Sequence, residues 1–132
     1  MSQQERGPAI ESAMTIVPVR DVRASIAFYA DILGFETRFL ADDGGFAMVM
    51  SGPSFGLQLL ACDDPGALKA TANNIAVYFH VKDLDQLYDG MKTKLESLPE
   101  GRLRPPFDQS YGMREFHVKD PDGCLLFFGE DI

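Results

Sequence analysis

The sequence predicts an α+β fold built from two tandem βαβββ units, whose strands form a curved mixed sheet, a half-barrel cup, with the helices on its outer face. Three observations carry that prediction. Apolar residues change from strand alternation to helical spacing and back in the same order twice. Val19-Arg20-Asp21-Val22 and Val81-Lys82-Asp83-Leu84 repeat one phrase, apolar, basic, Asp, apolar, 62 residues apart, which is the mark of an internal repeat. Clusters of Gly, Asp, Pro and Ser punctuate the remainder into short segments.

Taken in order, residues 1–12 are polar, with scattered charge and a Gly-Pro step, and predict a disordered N-terminal tail ahead of a single domain over 13–132. Unit one, about 13–61, begins with the β-rich run MTIVPV. Asp21 suits a helix N-cap, Val22, Ile26, Tyr29 and Leu33 share one helical face, and Gly34 suits the stop. FETRFL, GFAMVM and FGLQLLA follow as strands, separated by ADDGG and SGPS. A loop over roughly 62–73 leads to unit two, about 74–130. There IAVYFHV is a strand, Asp83 with Gln86 reads as a capping box, and Leu84, Leu87, Met91 and Leu95 form a helical stripe. Strands near 102–104, 112–118 and 124–129 close the unit, the last two joined by the tight turn Asp120-Pro121-Asp122-Gly123.

Alternation then assigns faces. Ile75, Val77, Phe79 and Val81 pack toward the helix, leaving Ala76, Tyr78 and His80 on the open side; Arg114, Phe116 and Val118 turn to the helices, and Met113, Glu115 and His117 into the cup. A buried-face Arg114 is the awkward member of that division. The cup is lined by Ile16, Phe46, Met48, Met113, Leu125 and Phe127, with Gln58, Tyr78 and Glu115 as polar points. An apolar concavity with a few placed polar groups is the pattern of a small-molecule site. Glu115, His117 and His80 could also form an acid–base pair or an unorthodox metal site, against the plainer reading of polar residues on a strand rim.

Composition excludes several functions. Twenty acidic against twelve basic side chains give a net charge of −8, which argues against a nucleic-acid partner and favours approach of a cationic small molecule. No apolar run reaches the roughly 20 residues of a membrane span, and the N-terminus lacks the order of a signal peptide, so a cytoplasmic location is expected with no membrane partner. Cys62 and Cys124 have no CxxC spacing and read as free thiols.

The phrase V-x-D-x-x-x-S-x-x-F-Y-x-x-x-L-G-F, carried by Val19, Asp21, Ser25, Phe28, Tyr29, Leu33, Gly34 and Phe35, together with the DPDG hairpin, resembles the vicinal oxygen chelate superfamily. That superfamily groups glyoxalase I, extradiol dioxygenases, fosfomycin-modifying enzymes and bleomycin resistance proteins, and the resemblance spans about residues 14–130. It implies four metal-ligand positions, one on the first and one on the fourth strand of each unit, which fall on Met14, Gln58, Ala76 and Phe127. A thioether, an amide, a methyl and a phenyl ring do not make a site for a hard or borderline cation. The resemblance therefore points to the bleomycin resistance group: a homodimer with no metal and no cofactor, which binds and sequesters a cationic or aromatic toxin or antibiotic. The ligand-binding residues expected are Ile16, Phe46, Met48, Gln58, Tyr78, Met113, Glu115, His117 and Phe127, and no catalytic residue is expected. The competing readings are a metal-dependent lyase, isomerase or dioxygenase of the same superfamily, and an interaction module with a vestigial pocket.

Overall fold

The computed structural model describes residues 9–132, so most of the expected tail, residues 1–8, lies outside the described residues. Residues 9–12 are exposed and have no regular structure. Unit one runs β1 (Thr15–Val19), α1 (Val22–Ala27, continued by a π-helical turn over Phe28–Ile32), β2 (Glu36–Leu40), β3 (Phe46–Met50) and β4 (Gly56–Ala61). A short helix α2 (Pro65–Thr71) leads to unit two: β5 (Ala76–His80), α3 (Leu84–Leu95), β6 (Leu103–Asp108), β7 (Met113–Lys119) and β8 (Leu125–Asp131). Each unit forms its own four-stranded sheet, β1-β4-β3-β2 and β5-β8-β7-β6, with one parallel pair and two antiparallel pairs. β1, which carries Pro18, pairs with β4 of its own chain at the sheet edge, where proline's missing N–H costs no ladder bond.

Both sheets turn one face to a shared core. Val17, Val19, Ala47, Val49, Leu57 and Leu59 of sheet one and Phe116, Val118, Leu126 and Phe128 of sheet two are buried with the helix residues Val22, Tyr29, Leu33, Leu84, Tyr88 and Leu95. The rings of Phe116, Phe128 and Phe79 form a continuous stack, with centroids 4.7 and 5.1 Å apart. Arg114 does share the helix face of β7. Its guanidinium bonds Asp85 of α3 at 3.0 Å and Asp108 of β6 at 2.9 Å, which explains why a charged residue is tolerated there.

The two phrases that carry the family resemblance touch each other. The Tyr29 hydroxyl, from the first, donates to Asp120 Oδ2 of the DPDG turn at 2.8 Å, inside the core. Asp120 Oδ1 accepts the backbone N–H groups of Asp122 and Cys124, and Asp122 accepts from the N–H of Arg20 at the opening corner of unit one. One buried carboxylate thus closes its own turn and joins the units. Burial raises the Asp120 carboxyl above its usual range despite these donors.

Two local expectations are corrected. The 62–73 loop contains helix α2, capped by the Asp64 carboxylate on the N–H groups of Gly66 and Ala67 and started by Pro65. Asp21 caps α1 through Arg23 and Ala24 N–H, but Asp83 sits at φ 52° and its side chain caps nothing. The first N–H of α3 instead donates to Glu130 Oε1 of β8, so the repeated phrase performs two different jobs. Both cysteines are free; Cys124 is buried, and burial pushes its thiol up to about 12, well away from reactive range.

Candidate functional site

The faces opposite the core are open, and strand register decides what stands on each. Across sheet two one row runs Arg104, His117, Phe127, Tyr78, and the next runs Phe107, Glu115, Gly129, His80. The register shift between Arg104 and Phe107 is taken up at Pro105-Pro106 of edge strand β6, so both side chains reach the same face. Across sheet one the corresponding row is Ile16, Gln58, Met48 and Phe39.

Sheet two organises its face around Glu115, whose side chain is fully buried. Oε2 accepts from the hydroxyls of Tyr78 (2.7 Å) and Tyr111 (2.6 Å). Oε1 accepts from Gln109 Nε2 (3.1 Å) and lies 2.7 Å from His117 Nε2. Burial acts to raise this carboxyl, but the bonds from Tyr111, His117, Tyr78 and Gln109 together outweigh it and hold it at about 2. A carboxylate has about four lone-pair sites, and all are used here. Glu115 therefore has no acceptor left for a guest; its work is to fix the two phenols and the imidazole around it. Tyr78, with burial and the Glu115 bond acting together, is raised well above the ordinary phenol value.

The reach of Tyr78 from β5 to β7 passes over β8, and Gly129 makes that possible. A Cβ there would collide with the Tyr78 hydroxyl oxygen and sit 2.7 Å from its Cζ. The result is a row of oriented rings: Phe107 meets His117 edge-on at 5.0 Å, His117 stacks on Phe127 at 4.0 Å, and Phe127 meets Tyr78 edge-on at 6.3 Å. His80 adds a ring 5.0 Å from Tyr78. At the far end the Arg104 guanidinium lies 3.5 Å from the centroid of Phe107.

Of the residues expected to bind ligand, Tyr78, Glu115, His117 and Phe127 are brought together on this face, with Met113 at its end beside Asp131. Ile16, Phe46, Met48 and Gln58 share the other open face, on sheet one, where Phe39 and Phe46 pack at 6.0 Å. The expected lining residues thus divide between the open faces of the two sheets. Arg104, Phe107, Gln109, Tyr111 and Gly129 were not expected at the site. The adjacent Pro-Pro hid the inward return of Phe107, and Tyr111 and Gln109 stand in a turn that alternation does not reach.

The side chains at the superfamily's metal positions do not make a donor set for a hard cation: Gln58 Nε2 donates to Met14 Sδ at 4.0 Å, and Ala76 and Phe127 offer carbon. Among the described residues no three His, Cys, Asp or Glu side chains gather to hold an ion, and the imidazole of His117 is already bonded to Glu115.

Two further hollows are formed by the described residues. One of about 670 Å³ lies around Arg20, Cys62, Lys69 and Asp122 and is lined by charges of both signs. One of about 500 Å³ follows the free edge of β5, where Tyr78 and His80 of the open face line it together with Phe55 of unit one and Met91 of α3.

A fold of paired βαβββ units with an open aromatic sheet face defines a class of small-molecule-binding and metalloenzyme domains. The chain belongs to the glyoxalase/bleomycin resistance protein/dioxygenase superfamily, whose sequence model matches residues 11–128. It is 31% identical over 131 aligned positions to a bleomycin resistance protein of Geobacillus stearothermophilus, covering 88% of this chain and 93% of that protein. Among solved structures it resembles the bleomycin-binding protein of Streptomyces verticillus complexed with copper(II)-bleomycin: TM-score 0.73, 26% identity, covering 92% of this chain and 97% of that one. It also resembles the bleomycin resistance determinant encoded on transposon Tn5: TM-score 0.72, 26% identity, covering 92% and 98%. A lactoylglutathione lyase of Agrobacterium tumefaciens, at TM-score 0.65 and 23% identity over 94% of this chain and 95% of that one, shares the fold.

Proposed function

We propose that the protein binds a small molecule with a flat aromatic part, of the bleomycin type or a related toxin, and withholds it from its target without metal or turnover. The observation that carries this reading is the ring row Phe107–His117–Phe127–Tyr78, held in fixed orientation by one buried, saturated carboxylate. Rings locked before binding lose little entropy when a guest stacks on them. Sequestration needs only affinity and abundance, and asks for no catalytic base beside the rings. The net charge of −8 speeds the approach of a guest that is cationic overall.

The functional unit is a homodimer. Ile16, Phe39 and Leu60 are 54, 50 and 47% exposed on the open face of sheet one, an apolar surface that a second copy would cover. Such a partner would also turn the two open faces into a closed cup.

Titration calorimetry of metal-free bleomycin into chelator-treated protein tests the reading. It expects saturable binding with a micromolar or lower Kd; no heat with bleomycin or with any other flat aromatic antibiotic would refute it.

A further inference from the structure

We infer that the hollow at the β6 end of the ring row is an anion subsite, which receives a carboxylate or other oxyanion carried by an aromatic ring packed beside the His117–Phe127 stack. The inference rests on the proposal that this open face is the binding face, and adds the chemistry of one end of the guest. The hollow, of about 270 Å³, is lined by Arg102, Arg104, Lys119, His117, Leu125 and Phe127 together with backbone and apolar neighbours, and no carboxylate takes part. In a chain with twenty acidic and twelve basic side chains, three of the basic ones meet here with no acidic neighbour in the lining.

Arg104, Arg102 and His117 each keep a nitrogen with no partner among the described residues, although the Arg102 guanidinium also lies over the Phe28 ring at 5.3 Å. Arg104 makes no ion pair among the described residues; its guanidinium lies against the Phe107 ring, which orients it and leaves its N–H edge open. Arg102 commits Nε and Nη2 to the Lys119 carbonyl, at 3.1 and 3.0 Å, and keeps its other terminal nitrogen. His117 turns Nε2 to Glu115, so its second ring nitrogen is the one left for a guest. Glu115, the carboxylate bonded to His117, is buried and spent on its own donors. Register places Arg104 directly across from His117, so an anion held by the guanidinium sits beside the stacked rings. The molecule's negative field opposes such a ligand at long range, but that field is screened beyond about 8 Å at physiological salt, whereas a direct guanidinium contact is not. The local lining, and not the net charge, then sets the preference.

The probes are three molecules with one ring system: 2-naphthoate, the neutral 2-naphthamide and the cationic 2-naphthylmethylammonium, titrated by calorimetry. The inference expects naphthoate to bind at least about tenfold tighter than the amide, as loss of a charged hydrogen bond implies. It expects Arg104→Gln and Lys119→Gln each to reduce that ratio, while Arg38→Gln, remote on β2, changes it less than about twofold. Equal binding of the three probes overturns the anion subsite and leaves the aromatic face standing. Binding of none overturns the proposed binding face and the subsite with it. A ratio that falls equally in Arg38→Gln also overturns the inference, since net charge alone would then explain it.

Discussion

Glu115 shows how one residue can shape a site without meeting the guest. Its folded carboxyl is lowered from 4.5 to about 2, so its contribution to stability is complete above about pH 4.5 and lost as pH falls through about 2. Glu115→Gln should lower the urea midpoint at pH 7, and the gap between variant and parent should narrow steadily from pH 4.5 toward 2. A gap independent of pH would mean that the carboxylate's charge is not what the four donors hold. Gly129→Ala tests the geometry: the added methyl drives Tyr78 off Glu115 and removes one oriented wall, and affinity for an aromatic guest should fall about two- to tenfold, the worth of one aromatic contact. Tyr29→Phe leaves Asp120 short of one buried donor, and should cost about 1–3 kcal/mol in denaturant unfolding.

At the scale of elements, the repeated phrase did not fold into repeated chemistry. Asp21→Ala removes a working cap and should cost about 1 kcal/mol, whereas the cap of α3 is lost by Glu130→Ala and not through the Asp83 carboxylate. Paired denaturation curves of these variants check the asymmetry. Strand faces were legible because alternation is a local property: Ile75 to Val81 and Met113 to Val118 divide as their side-chain chemistry implies, Arg114 included. Helix α2 was not legible, because seven residues with no buried side chain carry no apolar periodicity. The Glu115 centre was legible only in part. Tyr78, Glu115 and His117 could be placed on one face from sequence, but the contributions of Gln109, Tyr111 and Gly129 depend on a turn and a strand crossing that only the fold brings together.

At the scale of the molecule, the proposed homodimer rests on the exposed apolar face of sheet one. Light scattering should give twice the 14.6 kDa of one chain, and Leu60→Glu should shift it toward the monomer. The central claim is that recognition here is the work of oriented rings and not of a metal. The most direct measurement is the metal content of protein purified without chelator. The account predicts far less than one equivalent of Zn, Ni, Mn or Fe per chain, in preparations that still bind the aromatic guest; one tightly held equivalent, with guest binding lost when it is stripped, would contradict it.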